Sequence, residues 1–174
     1  MKILGICTHH DSSVCVLVDG IIDYYSKEER LTRIKRDKYP TNSINQAIKL
    51  YNGEFDYVII SSWYYSNEYI MTLTEQLKKE LPKAKIINEC SQHHLYHANM
   101  AFYNSGFENA LCFVADRVGA PAGSLVECES IYEASYPNKF IPIMKNYYQR
   151  HMGEGYDEQN YKSLLDLKEK FPNC

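Results

Sequence analysis

Three of the six histidines fall within five residues, in the stretch Ser91-Gln92-His93-His94-Leu95-Tyr96-His97-Ala98. The segment that follows has a helical pattern, with Ser91 as its N-cap. On a helix, His93 and His97 lie four residues apart on one face, so two imidazoles can reach one metal ion. The same spacing fits two ordinary helix histidines, and a metal needs a third ligand from elsewhere. Asp116 ends the apolar run Ala-Leu-Cys-Phe-Val-Ala at 110–115. The C-terminal end of a buried strand is where α/β folds gather ligands. Two imidazoles and one carboxylate leave coordination positions open to water or a phosphate oxygen.

A second polar group stands near the start of the chain, in Thr8-His9-His10-Asp11-Ser12. A polar turn that hydrogen-bonds itself would read this way. The functional reading is a loop whose hydroxyls and backbone N–H groups meet a phosphate or carbamoyl group, with Asp11 and Ser12 as phosphate- or substrate-binding residues and His10 as acid or base near neutral pH. The run Ser26–Asp37 is nearly all charged, as a solvated face would be. The rival reading is phosphate capture, by the guanidinium forks of Arg30 and Arg33 with Lys35 as a point charge.

The elements that must position these groups follow from periodicity. Ile3–Cys7, Ser13–Val18 and Ile21–Tyr25 read as strands, and Asp19-Gly20 is a hairpin turn, giving an antiparallel meander. Thr41 then caps a helix whose inward positions are Ile44, Ala47, Ile48 and Tyr51, and Gly53 ends it. Tyr57–Ile60 reads as a strand buried on both faces. Glu68–Leu81 is an amphipathic helix with Ile70, Leu73, Leu77 and Leu81 inward. A strand at Lys85–Asn88 leads to the histidine helix, which gives way to a turn at Asn104-Ser105-Gly106. Residues 110–115 form a further buried strand, Ser124–Cys128 and Ser130–Ala134 two more, and the pattern from Ile143 onward is helical with a break at Gly153-Glu154-Gly155. A meander followed by alternating helices and strands predicts an RNase H-like α/β domain with a mixed sheet flanked by helices.

The chain has 174 residues, a length that suits one domain, residues 1–174. A net charge of -3 and a pI near 6.1 supply no electrostatic footprint for nucleic acid or an anionic membrane. With neither a signal peptide nor a spanning segment in the pattern, the expected location is the cytoplasm. The six cysteines lack CxxC spacing, and Cys7, Cys15, Cys90 and Cys112 sit in or beside apolar runs, so buried thiols are expected. The sixteen tyrosines, among them Tyr24-Tyr25, Tyr64-Tyr65 and Tyr147-Tyr148, read as half-buried packing residues.

Taken in order, these segments resemble the N-terminal part of the O-carbamoyltransferases that modify nodulation factors, cephamycins and aminoglycosides. The resemblance rests on Leu4-Gly5-Ile6, His10-Asp11-Ser12-Ser13, Leu17-Val18-Asp19-Gly20 and Glu28-Glu29-Arg30-Leu31-Thr32-Arg33-Ile34-Lys35. It continues through Gln92–Ala98, Ala101-Phe102-Tyr103-Asn104-Ser105-Gly106-Phe107 and Val114-Ala115-Asp116, and covers residues 3–116. It implies a lobe of the actin/hexokinase superfamily, whose duplicated RNase H-like fold is similar to that of proteins installing threonylcarbamoyl groups on transfer RNA. In such enzymes a separate domain makes carbamoyl-adenylate from carbamoyl phosphate and ATP, and the actin-like domain passes the carbamoyl group to a hydroxyl acceptor. Carried over residue by residue, the resemblance makes His93, His97 and Asp116 ligands of a divalent metal, iron first and zinc second. His10 then stands beside the reacting carbamoyl group, and Lys35 is a basic residue of that pocket.

Two departures qualify the match. Arg117 follows Asp116 where the family has glycine, placing a bulky cation where backbone normally approaches a ligand. The segment Lys162-Ser163-Leu164-Leu165 parallels a later lysine-containing motif without its glycine. Against the family pattern, the second lobe and the adenylate-forming domain are expected to be absent. The expectation is therefore an enzyme completed by a partner chain or a homo-oligomer. The rival is a lobe that has lost catalysis and persists as an interaction module. A metal-dependent hydrolase fits less well, since no general base stands at a telling spacing.

Overall fold

The computed structural model describes residues 1–62, 67–88, 92–116, 118–122 and 125–149. The chain divides into two compact units, Met1–His93 and His94–Cys174. The division falls after the first residue of a helix, which is described with the second unit.

In the first unit, β1 (Lys2–Thr8), β2 (Ser13–Val18) and β3 (Ile21–Lys27) form the antiparallel meander expected from the sequence. Asp19 and Gly20 both take positive φ, 50° and 85°, as a tight two-residue hairpin turn requires. β4 (Tyr57–Ser62) lies parallel to β1, and β5 (Lys85–Asn88) lies parallel to β4, so the sheet order is β3-β2-β1-β4-β5. One face is dry: Leu4 and Ile6 of β1, Val14 and Val16 of β2, and Val58 and Ile60 of β4 are buried in one cluster. Two helices cover that face. α2 (Thr41–Leu50) presents Ile44 and Ala47, and α3 (Asn67–Glu80) presents Ile70, Leu73 and Leu77, at the predicted three-to-four-residue spacing. β4 is not buried on both faces as its continuous apolar run suggested. Tyr57, Ile59 and Ser61 alternate with buried Val58, Ile60 and Ser62, and are only partly covered.

The charged run departs most from expectation. Residues Glu28–Thr32 form a short helix, α1, and Glu28 is fully buried rather than solvated. Thr41 is the first helical residue of α2 instead of its cap. Pro40 holds the cap position and makes no side-chain cap hydrogen bond. The carboxylate of Glu28 takes over that task.

In the second unit, α4 (His93–Ser105) packs Ala98 and Phe102 against Cys112 and Val114 of β6 (Asn109–Ala115) and against Tyr132 and Ala134 of β8 (Leu125–Ser135). α4 runs to Ser105, and Gly106 at φ 76° ends it in the left-handed conformation that glycine adopts freely. β8 is one strand where two were expected. It pairs antiparallel with β6, with the short β7 (Pro121–Ala122) and with β9 (Lys139–Gln149). Residues 143–149 are thus strand rather than helix, because their pairing with β8 decides what local pattern left ambiguous. β6 is one-sided too: Cys112 and Val114 are buried, whereas Leu111 and Phe113 are 61% and 53% exposed. Cys112 is the buried thiol expected, but Cys15 is half-buried and Cys7 exposed. Ser91, Cys90, Tyr64-Tyr65, Arg117, the Gly153-Glu154-Gly155 break, Lys162–Leu165 and Cys174 lie outside the described residues. Among the described residues no helix is long and apolar enough to cross a membrane.

Candidate metal centre

α4 carries His93 and His97 on one face, and Asp116 follows directly on β6. One ligand-type atom from each of the three lies within 4.8 Å of the others. His97 Nε2 stands 3.6 Å from Asp116 Oδ2, with the two side chains 44% and 36% exposed. Metal bonds of about 2.0–2.2 Å to imidazole and carboxylate place neighbouring donors roughly 3–3.5 Å apart, so a small side-chain rotation brings the set into range. The donor chemistry fits a borderline divalent cation with positions left open. Asp116 is held from behind, its N–H donating to the Cys128 carbonyl at 3.0 Å. His97 and Asp116 also line an open groove of about 620 Å³, whose other walls include Met100, Ala101, Leu111 and Phe113.

The loop between β1 and β2 forms a separate cluster in the first unit. His9 and Asp11 take positive φ, 79° and 61°. His10 Nδ1 lies 3.0 Å from Asp11 Oδ2, and Lys27 Nζ donates to Asp11 Oδ1 at 3.2 Å. Those hydrogen bonds, His10's first and then Lys27's, hold the Asp11 carboxyl below the usual carboxylate range. Ser12 is buried, and its hydroxyl donates to the Asp37 carbonyl at 2.8 Å. With the bonds from His9 N–H to Lys38 and from Ser12 N–H to Asp37, it ties the loop to the end of the charged segment. Burial, followed by the neighbouring His10 and Lys38, pushes the His9 imidazole down from its ordinary value. Arg30, Arg33 and Lys35 are exposed, with Arg33 left-handed at φ 62° where α1 ends.

Two groups of functional weight escape the sequence. Glu28 is one, concealed in a run that looks solvated. The other is a buried chain in the second unit, built on His94, which is fully buried. Its Nδ1 lies 2.9 Å from Ser130 Oγ, Ser130 donates to Glu127 Oε1 at 2.8 Å, and Lys145 Nζ sits 2.8 Å from the same oxygen. Burial alone would raise the Glu127 carboxyl, but hydrogen bonds from Lys145 and Ser130 prevail and hold it below its ordinary value. The signal for His94 was present: His94, Ala98 and Phe102 recur every four residues as the inward stripe of α4.

No family model matches the chain. An uncharacterized protein of Synechocystis sp., sll1178, is 28% identical to it, the match covering 67% of this chain and 25% of that protein. The chain therefore spans a quarter of the length of that curated relative. Among solved structures, YeaZ from Pseudomonas aeruginosa superposes with a TM-score of 0.51 at 12% identity, covering 90% of this chain and 71% of YeaZ. A second Pseudomonas aeruginosa structure, an uncharacterized protein with similarity to peptidase YEAZ, gives the same score and identity, with 90% and 70% covered. At this identity the likeness is one of fold.

Proposed function

We propose that this chain is an O-carbamoyltransferase-like lobe of RNase H-like fold that supplies a metal centre and part of a carbamoyl-adenylate or nucleotide site. In this reading the carbamoyl group goes to a hydroxyl acceptor, and a partner chain takes part in the transfer. The observation that carries the proposal is the convergence of His93, His97 and Asp116, the three positions at which the family resemblance places ligands. The β3-β2-β1-β4-β5 order, with β2 antiparallel to its neighbours and the remaining strands parallel to β1 on its other side, supports the RNase H-like reading.

His93, His97 and Asp116 would hold the cation, iron in the first instance or zinc. Bound there, it would supply a Lewis acid for phosphate or carbamoyl oxygens. Within the first unit, His10, whose ring pairs with Asp11, is suited to proton handling. Ser12 shapes that loop through Asp37. Arg30, Arg33 and Lys35 are exposed cations suited to phosphate groups.

The test is transfer of labelled carbamoyl from carbamoyl phosphate plus ATP to hydroxyl acceptors, with this chain alone and with candidate partner chains. The proposal predicts transfer that needs both substrates and is lost in His93→Ala. Inactivity in a stable complex with a partner would instead favour the interaction module, a reading that the exposed Leu111 and Phe113 along the groove support.

A further inference from the structure

Both arms of the candidate metal centre are fastened to one short stretch of β8. On the Asp116 side the ties are backbone hydrogen bonds: Asp116 N–H to the Cys128 carbonyl at 3.0 Å, Gly119 N–H to the Glu127 carbonyl at 2.6 Å, and Glu127 N–H to the Ala120 carbonyl at 3.0 Å. On the α4 side the tie is the side chain of His94, which sits in sequence beside His93 and three residues before His97. It reaches Ser130 at 2.9 Å and lies 3.6 Å from Glu127 Oε2.

Proton placement follows from the acceptors. Glu127 Oε1 takes the hydroxyl proton of Ser130, so the Ser130 oxygen is the acceptor and His94 donates from Nδ1. Lys145 on β9 completes the chain at Glu127 and stands 5.7 Å above the Tyr132 ring. The opposite side of the His94 ring is equally defined. A Cβ at Gly119 would lie 2.5 Å from His94 Nε2 and 2.9 Å from the Glu127 carbonyl oxygen, so the Asp116 loop packs directly on the imidazole. A buried carboxylate, hydroxyl and imidazole, joined by the partly exposed Lys145 ammonium, are costly to assemble, and such sets persist where their geometry matters.

We infer that Glu127 and Ser130 are positioning residues for the metal centre, setting the distance between the α4 histidines and Asp116 through His94. The inference rests on the metal-centre reading above. Groups hydrogen-bonded directly to a metal's ligands typically change affinity by about 10- to 100-fold when removed; Glu127 and Ser130 act one residue further out, through His94.

The experiment titrates zinc(II) against a chromogenic chelator and records the visible spectrum of the cobalt(II) form, for wild type, Ser130→Ala, Ser130→Thr and Glu127→Gln. Far-UV circular dichroism identifies the variants that fold. A Leu77→Ala control destabilises the first unit without touching the network. Ser130→Ala and Glu127→Gln should weaken zinc by several-fold, up to about tenfold, and shift the cobalt bands. Ser130→Thr, which keeps the hydroxyl, should restore both, and Leu77→Ala should change neither. If wild type binds zinc and the folded Ser130→Ala or Glu127→Gln protein binds it equally with an unchanged cobalt spectrum, the positioning role is wrong and the centre stands. If wild type binds neither ion, the centre itself is wrong and the inference falls with it.

Discussion

Glu28 Oε2 accepts two hydrogen bonds from Ser43, one from the backbone N–H at 2.8 Å and one from the hydroxyl at 2.6 Å. Its other oxygen takes the N–H and side-chain amide of Asn42 at 2.9 and 2.7 Å. A carboxylate from the first residue of α1 thereby supplies the cap that α2 lacks at Pro40, meeting the Asn42 and Ser43 N–H groups at the positive end of the helix dipole. Glu28→Ala should destabilise the first unit by about 2–4 kcal/mol, since several charge-assisted bonds vanish and their donors remain. Urea unfolding measures this, and a loss below about 0.5 kcal/mol, the usual range of a surface change, would contradict the cap.

Gly119 has no room for a side chain. Two of the atoms that a Cβ would meet are ring atoms of buried His94 and the third is backbone oxygen, so none is the far end of a flexible side chain. Gly119→Ala should cost roughly 1–3 kcal/mol, in the range of overpacked cores. A thermal melt of the variant unchanged from wild type would show that the loop yields freely.

The Glu127 carboxyl is held below its ordinary value of 4.5 by Lys145 and Ser130 against the opposing effect of burial. Its stabilising contribution is therefore present above pH 4.5 and fades as pH falls through the lower folded value. Lys145→Met removes the strongest of those partners and leaves a buried carboxylate to be protonated sooner. The acid unfolding midpoint should move to higher pH, and circular dichroism against pH would reveal an unmoved midpoint if the pair did nothing.

In the first unit, Asp11 should titrate below 3.8, with the His10 hydrogen bond as the leading cause and Lys27 second. His10→Ala should raise the Asp11 value toward 3.8 in a carbon-13 carboxyl titration. An unchanged value would mean that the His10 contact does not hold Asp11 in solution.

What the sequence made legible was local. Asp19-Gly20 announced its hairpin, the spacing of Ile70, Leu73 and Leu77 announced the inward face of α3, and the four-residue step from His93 to His97 put two imidazoles on one face. What it concealed depended on distance along the chain. Glu28 sits among charges that are mostly solvated, and only its meeting with Asn42 and Ser43 makes burial tolerable. His94 and Ser130 are separated by 36 positions, so neither predicts the other. Continuous apolar runs at 57–60 and 110–115 suggested coverage of both faces, yet such a run fixes only that one face is buried. The strand β9 escaped for a related reason: its pairing with β8, not its own periodicity, holds residues 143–149 extended.

The central claim is that His93, His97 and Asp116 form one metal centre, and elemental analysis of tag-free protein tests it most directly. The account predicts near-stoichiometric iron or zinc in wild type and its loss in His93→Ala with the fold intact by circular dichroism. Wild-type protein that carries no metal and takes up neither iron(II) nor zinc(II) on titration would contradict it.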